Sequence, residues 1–224
     1  MSCDPPGPQP VDPEESSRYS RSDQLNPGWW RKLEEAVARG RRPVDEAVAI
    51  QKDEVLLPWF NRTLVFNPGK REIRFLEAGV GEPGFQEGLV ALALLDHLFV
   101  HGRVEPEGEL VNENHLPGGP TFFRGPHVMA SVKIARKFAR EGGEFLRRGR
   151  AWGGRPVEYG EYALEFTVFP GLEWIVVLWE EDEEFPARAQ YLFDRGLARI
   201  FQLDVIWALG NVVAAKLLLQ KQSN

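Results

Sequence analysis

Five consecutive carboxylates, Glu180-Glu181-Asp182-Glu183-Glu184, stand between an apolar run ending at Trp179 and the segment Phe185-Pro186-Ala187. Two kinds of chemistry suit such a run. In the first, Pro186 opens a helix over Pro186–Gln202, and the acids sit at the positive end of its dipole, each contributing about 0.3–1 kcal/mol when exposed. In the second, one or two carboxylates act as ligands or acid/base groups: Asp182, Glu183 and Glu184, with Asp194 farther along, would surround a divalent metal. No metal-loop spacing accompanies them, so the run alone names no metal.

A basic segment precedes the acids. From Arg124 to Arg155 nine Lys and Arg face only Glu141 and Glu144, a net charge of +7. From Glu158 to Glu184 there are nine acids and no base, a net charge of −9. The overall charge of −6 conceals this segregation. Either the blocks are solvated faces that partly pair, at about 0–1 kcal/mol per exposed pair, or Arg136, Arg140, Arg147 and Arg148 form a surface for an anionic small molecule or a protein partner. Arginine suits that role because its planar fork grips carboxylate or phosphate bidentately. The acidic balance makes nucleic acid an unlikely partner for the chain as a whole.

The remaining reactive residues are sparse. His97 and His101 share a helix face, but no Glu follows His97 as in a zinc protease. Apart from Ser131 and Ser223, serine is confined to the N-terminal stretch, and Cys3 is the only cysteine. No disulfide or cysteine-ligated cluster can be built within this chain, little material remains for a Ser-His-Asp set, and no phosphate-binding glycine loop occurs. The sequence names no cofactor.

The elements that must position these residues follow from periodicity. Residues 1–26, rich in Pro, Ser and acids, read as a disordered tail, and 27–224 as one globular domain. Helices are expected over Trp29–Arg39, Val44–Asp53, a buried central stretch through Leu89–Leu95 to Gly102, His127–Arg140, Pro186–Gln202 and Val205–Gln220. Asn67-Pro68-Gly69 and Phe169-Pro170-Gly171 each join two strands, with Trp174–Trp179 apolar on both faces and therefore central in its sheet. Residues 102–126 form a long Gly/Pro/Asn-rich connection. The expected fold is α+β, helices packed around a small antiparallel sheet. The N-terminus lacks the basic and apolar regions of a secretory signal, and no run approaches a membrane span, so the expectation is a cytoplasmic protein without membrane contact.

The stretch LEFTVFPGLEWIVVLWEEDEEFPARAQYLFD resembles the most characteristic part of DUF3786, a family of uncharacterised bacterial and archaeal proteins of anaerobes. The resemblance rests on Trp179, Asp182 to Ala187, and Leu192 to Asp194. Leu116–Gly119 and Gly153-Gly154 after a Trp add weaker matches, and together they span roughly residues 55 to 215. Some similar proteins carry a cysteine-rich segment resembling an iron–sulfur domain, from which this chain departs in having no second cysteine. Others accompany one-carbon or corrinoid metabolism. The resemblance implies an accessory, cofactor- or partner-binding protein of anaerobic metabolism. A metal-dependent enzyme using residues 180–184, or a subunit of a larger complex, are the alternatives.

Overall fold

The computed structural model describes residues 25–219. The tail up to residue 24, with Cys3, lies outside the described residues. The elements run in the order α1 (Pro27–Ala38), β1 (Ala49–Gln51), β2 (Glu54–Trp59), β3 (Arg62–Asn67), β4 (Glu72–Phe75), α2 (Phe85–Val100) and β5 (Leu110–Val111). They continue through α3 (Gly119–Phe122), α4 (Ser131–Lys137), α5 (Gly142–Arg150), β6 (Arg155–Pro156), β7 (Tyr162–Phe169), β8 (Leu172–Trp179), β9 (Arg188–Asp194), α6 (Leu197–Ile200) and α7 (Leu203–Leu218). The fold is α+β.

The strands form two antiparallel sheets where one was expected. The first is a four-stranded meander, β1-β2-β3-β4, and the second has the order β5-β9-β8-β7-β6. Both expected hairpins are present, but one lies in each sheet. The sheets meet where the β2–β3 turn, with Phe60 at φ 53, sends its Phe60 N–H to Val168 O of β7 at 2.9 Å. β8 is the central strand of its sheet, which is why it is apolar from Trp174 to Trp179. Trp174, Val176 and Leu178 enter the main core, while Ile175 and Val177 build a small second cluster on the opposite face.

Helices α2 and α7 pack against each other in the core. Both are apolar almost all round, as burial on every side requires. Helices α4 and α5 join them, and α4 also lies across β9.

Two expected helices are absent. Val44–Asp53 is a turn followed by β1, because the Asp45 carboxylate captures the Ala47 N–H at 2.9 Å, a local bond that competes with the helical ladder. Pro186–Gln202 is strand β9 and the short α6. Its Arg, Ala, Gln and Leu favour helix intrinsically, yet pairing with β8 from Trp174↔Phe193 to Trp179↔Arg188 selects the strand and buries Tyr191 and Phe193. The acid run is therefore not a helix start. It is the β8–β9 loop.

Candidate functional site

In that loop each acid has its own position. The Glu180 carboxylate accepts the Gly142 N–H at the start of α5 at 2.6 Å, and its backbone N–H donates to Glu161 at 2.8 Å. Glu181 pairs with Arg140 at 2.7 Å, and its N–H donates to Ala139 O at 2.8 Å. Asp182 Oδ1 accepts the N–H groups of Glu184 and Phe185 at 2.8 and 2.7 Å, while the Asp182 N–H donates to Phe185 O at 3.0 Å. The first three acids thus hold the loop in shape. Glu183, Glu184 and Phe185 project outward, and Phe185 is 66 % exposed.

Asp194 is elsewhere. It lies at the far end of β9, which at ~3.3 Å per residue is roughly 20 Å from the loop. Its two oxygens accept the N–H groups of Glu107 and Gly108, each at 2.7 Å, and of Gly196 at 2.8 Å. Burial pushes the Asp194 carboxyl up, but these backbone N–H bonds outweigh it and hold the group below the usual aspartate range. Arg195 closes the same corner by a bidentate pair with Glu109 at 2.6 and 2.7 Å. Asp194 therefore clamps a loop, and the structure does not bring it together with Asp182, Glu183 and Glu184. Among the described residues, no group of three or more His, Cys, Asp or Glu is placed to hold a metal ion.

The four arginines divide as well. Arg147 grips Glu144 through two bonds of 2.6 Å, and Arg148 binds the same carboxylate at 2.7 Å. Those two guanidinium groups hold the Glu144 carboxyl down at about 2. Arg148 is buried and also donates to the carbonyls of Leu217 and Leu218, capping the end of α7. Arg140 is paired with Glu181 as above. Arg136, on α4 four residues before Arg140, stays exposed with no ion pair among the described residues.

The histidines do not converge. His97 and His101 have ring centroids 5.5 Å apart at the end of α2, with the His97 pKa lowered chiefly by burial. His115 contacts Asn112, and His127 stacks on Phe122.

Sequence reasoning missed a buried cluster at the junction of both sheets and both central helices. The Lys216 ammonium, on α7, forms an ion pair with Glu87 on α2, and Trp59 Nε1 donates to the same carboxylate oxygen at 2.7 Å. The ammonium lies 4.0 Å from the centroid of the Trp152 ring, with Phe75 and Phe60 at 5.4 and 5.6 Å. Arg62 stands 5.9 Å from the same indole, and its buried Nε has no hydrogen-bond partner among the described residues. Burial is the main cause lowering the Lys216 pKa. The one sequence signal was a single cation inside the otherwise uncharged run from Val205 to Leu219.

Two glycine pairs are explained by left-handed backbone or close approach. Gly118 takes φ 77, and a Cβ at Gly119 would lie 2.0 Å from Glu113 O. Gly153 takes φ 80 against Asn61, which brings Trp152 to the lysine, and Gly154 abuts the Phe166 ring.

Residues 46–216 match DUF3786, described as a domain of unknown function. The chain belongs to this family. The matched span of the DUF3786 domain begins after α1 and ends on Lys216 itself. It contains the Leu116–Gly119 turn, Trp152-Gly153-Gly154 and the β8–β9 loop. Comparison with curated proteins and with solved structures returned no match. No helix among the described residues is long and apolar enough to cross a membrane.

Proposed function

We propose that this DUF3786 protein is an accessory, partner-binding protein whose contact surface is the β8–β9 loop and the adjoining end of α4. The observation that carries this reading is Phe185: a large aromatic side chain, 66 % exposed, on a loop pinned at Glu180, Glu181 and Asp182. Holding an aromatic in water without freedom to collapse is favourable for association, because little ordering remains to be done on binding. Aromatic anchors of this kind dominate interface energetics.

Glu183 and Glu184 precede Phe185 on the same exposed loop, and the complementary partner is a protein presenting an apolar pocket with a basic rim. Arg136, exposed on α4 four residues before the Arg140 of the Arg140–Glu181 pair, adds the one cation of the proposed anion-binding set that is not tied down internally. The setting in anaerobic, one-carbon or corrinoid-linked metabolism comes with the family resemblance, and a role as subunit of a larger assembly is the same reading with a permanent partner.

The test is affinity capture from anaerobic extract of the native cells, comparing wild type, Phe185→Ala and the double variant Glu183→Gln/Glu184→Gln. The capture should recover a defined protein in constant ratio. Phe185→Ala should lose it while its thermal midpoint is unchanged. Full retention of every captured partner by Phe185→Ala would remove the basis of the reading.

A further inference from the structure

Helix α1 lies outside the matched family span and docks on α2, leaving a groove of about 200 Å³ between them. The floor is apolar: Leu33 and Ala36 from α1, Leu92 and Leu95 from α2, with Trp29 and Phe99 along the sides. The groove's volume is less than the ~300–1,000 Å³ of drug-sized sites. The ligand that fits is small and narrow.

The rim fixes its charge. Asp96 is engaged by Lys32, with both oxygens at 3.0 and 3.2 Å, and Glu35 is engaged by Arg39 at 3.5 Å. Arg41 also lines the groove, and among the described residues its guanidinium has no carboxylate partner. Its position is set by the helix end. Gly40 takes φ 67, its N–H donates to Val37 O at 2.9 Å, and the Arg41 N–H returns to Ala36 O at 2.9 Å. This left-handed helix cap folds Arg41 back towards Ala36 on the groove floor. After the internal pairs are taken, the groove has an apolar floor and one unmatched positive charge.

We infer that the α1–α2 groove is a binding site for a small amphiphilic monocarboxylate, its chain against the partly exposed Trp29, Phe99 and Val100 above the closed floor, and its carboxylate on Arg41. A guanidinium fork binds carboxylate bidentately, which separates an acid from an alcohol of equal length. The inference is independent of the partner surface proposed above, since it uses neither the β8–β9 loop nor α4.

The experiment titrates octanoate into isotope-labelled full-length protein and follows amide chemical shifts, with octanol and octyltrimethylammonium as probes of the charge requirement. Octanoate should saturate and move resonances of 29–41 and 92–100. Octanol should bind at least about tenfold more weakly, the worth of one charge-assisted contact. The cation should not bind. Arg41→Gln, an exposed substitution that leaves the fold intact, should weaken octanoate about tenfold and leave octanol unchanged. Absence of saturable binding, shifts confined to other elements, equal affinity for acid and alcohol, or an unaltered octanoate affinity in Arg41→Gln would each overturn the inference.

Discussion

Lys216 and Glu87, 129 residues apart, form an ion pair whose side chains are 7 % and 8 % exposed. Desolvating two charges costs several kcal/mol each, and only good geometry with further hydrogen bonds offsets it. Here Trp59 supplies one such bond, and the Trp152, Phe75 and Phe60 rings face the ammonium. The pair joins the start of α2 to the end of α7 and brings the β2–β3 turn and the α5–β6 connection against both.

Breaking this pair from one side should be far worse than removing it whole. Lys216→Met leaves Glu87 buried with Trp59 alone, and should lower stability by roughly 3–5 kcal/mol. Lys216→Met with Glu87→Gln keeps an acceptor for Trp59 Nε1 and removes both charges, so most of that loss should be recovered. Chemical denaturation of the two single variants and the double variant measures the coupling. Additive losses would show that the pair does not act as a unit.

The Glu144 carboxyl, held at about 2 by Arg147 and Arg148, should titrate well below ordinary glutamates. A depressed folded pKa means that its contribution is fully present above the ordinary value of 4.5 and lost as pH falls through about 2. Carboxyl-carbon NMR across an acid titration reads this directly. Arg147→Gln should move the midpoint upward.

Asp194→Asn should open the corner between residues 105–109 and 194–196. An amide offers one acceptor oxygen where the carboxylate serves three N–H groups, and it turns an NH₂ towards donors. Hydrogen exchange at Glu107, Gly108 and Gly196 should accelerate roughly tenfold to a hundredfold, equivalent to about 1–3 kcal/mol. The β7–β8 amides should be unaffected.

Neighbouring glycines should respond unequally. A methyl at Gly118 meets only Leu203 at 3.5 Å, so Gly118→Ala costs the left-handed conformation, about 1–2 kcal/mol. A methyl at Gly119 meets Glu113 O at 2.0 Å, and the backbone must move. Thermal melts should place Gly119→Ala well below Gly118→Ala.

Much of the frame was legible along the chain because its signals are local. Asn67-Pro68-Gly69 and Phe169-Pro170-Gly171 announce their hairpins, the apolar β8 announces a central strand, and the runs of α2 and α7 announce buried helices. The candidate site was less legible. The acid run was visible as a run, but its division into Glu180, Glu181 and Asp182, which hold the loop in shape, and Glu183 and Glu184, which project outward, depends on Gly142, Arg140 and the loop's own N–H groups. On a helix over Pro186–Gln202, Asp194 would lie a few turns from the acids and could serve as a fourth ligand. As strand β9, the same segment carries it roughly 20 Å away.

What the sequence by itself determined is therefore the α+β class, the family, the major hairpins and central helices, and the segregation of basic from acidic blocks. All of these are set by neighbours in the chain or by patterns with period two or 3.6. Tertiary structure alone decided that β9 is a strand, that Arg148 reaches the carbonyls of Leu217 and Leu218, and that Lys216 meets Glu87. Each of these depends on partners dozens of residues away or on competition between two backbone ladders. The free energy that selects them, pairing with β8 or desolvation of a charge, exists only once the distant elements have packed.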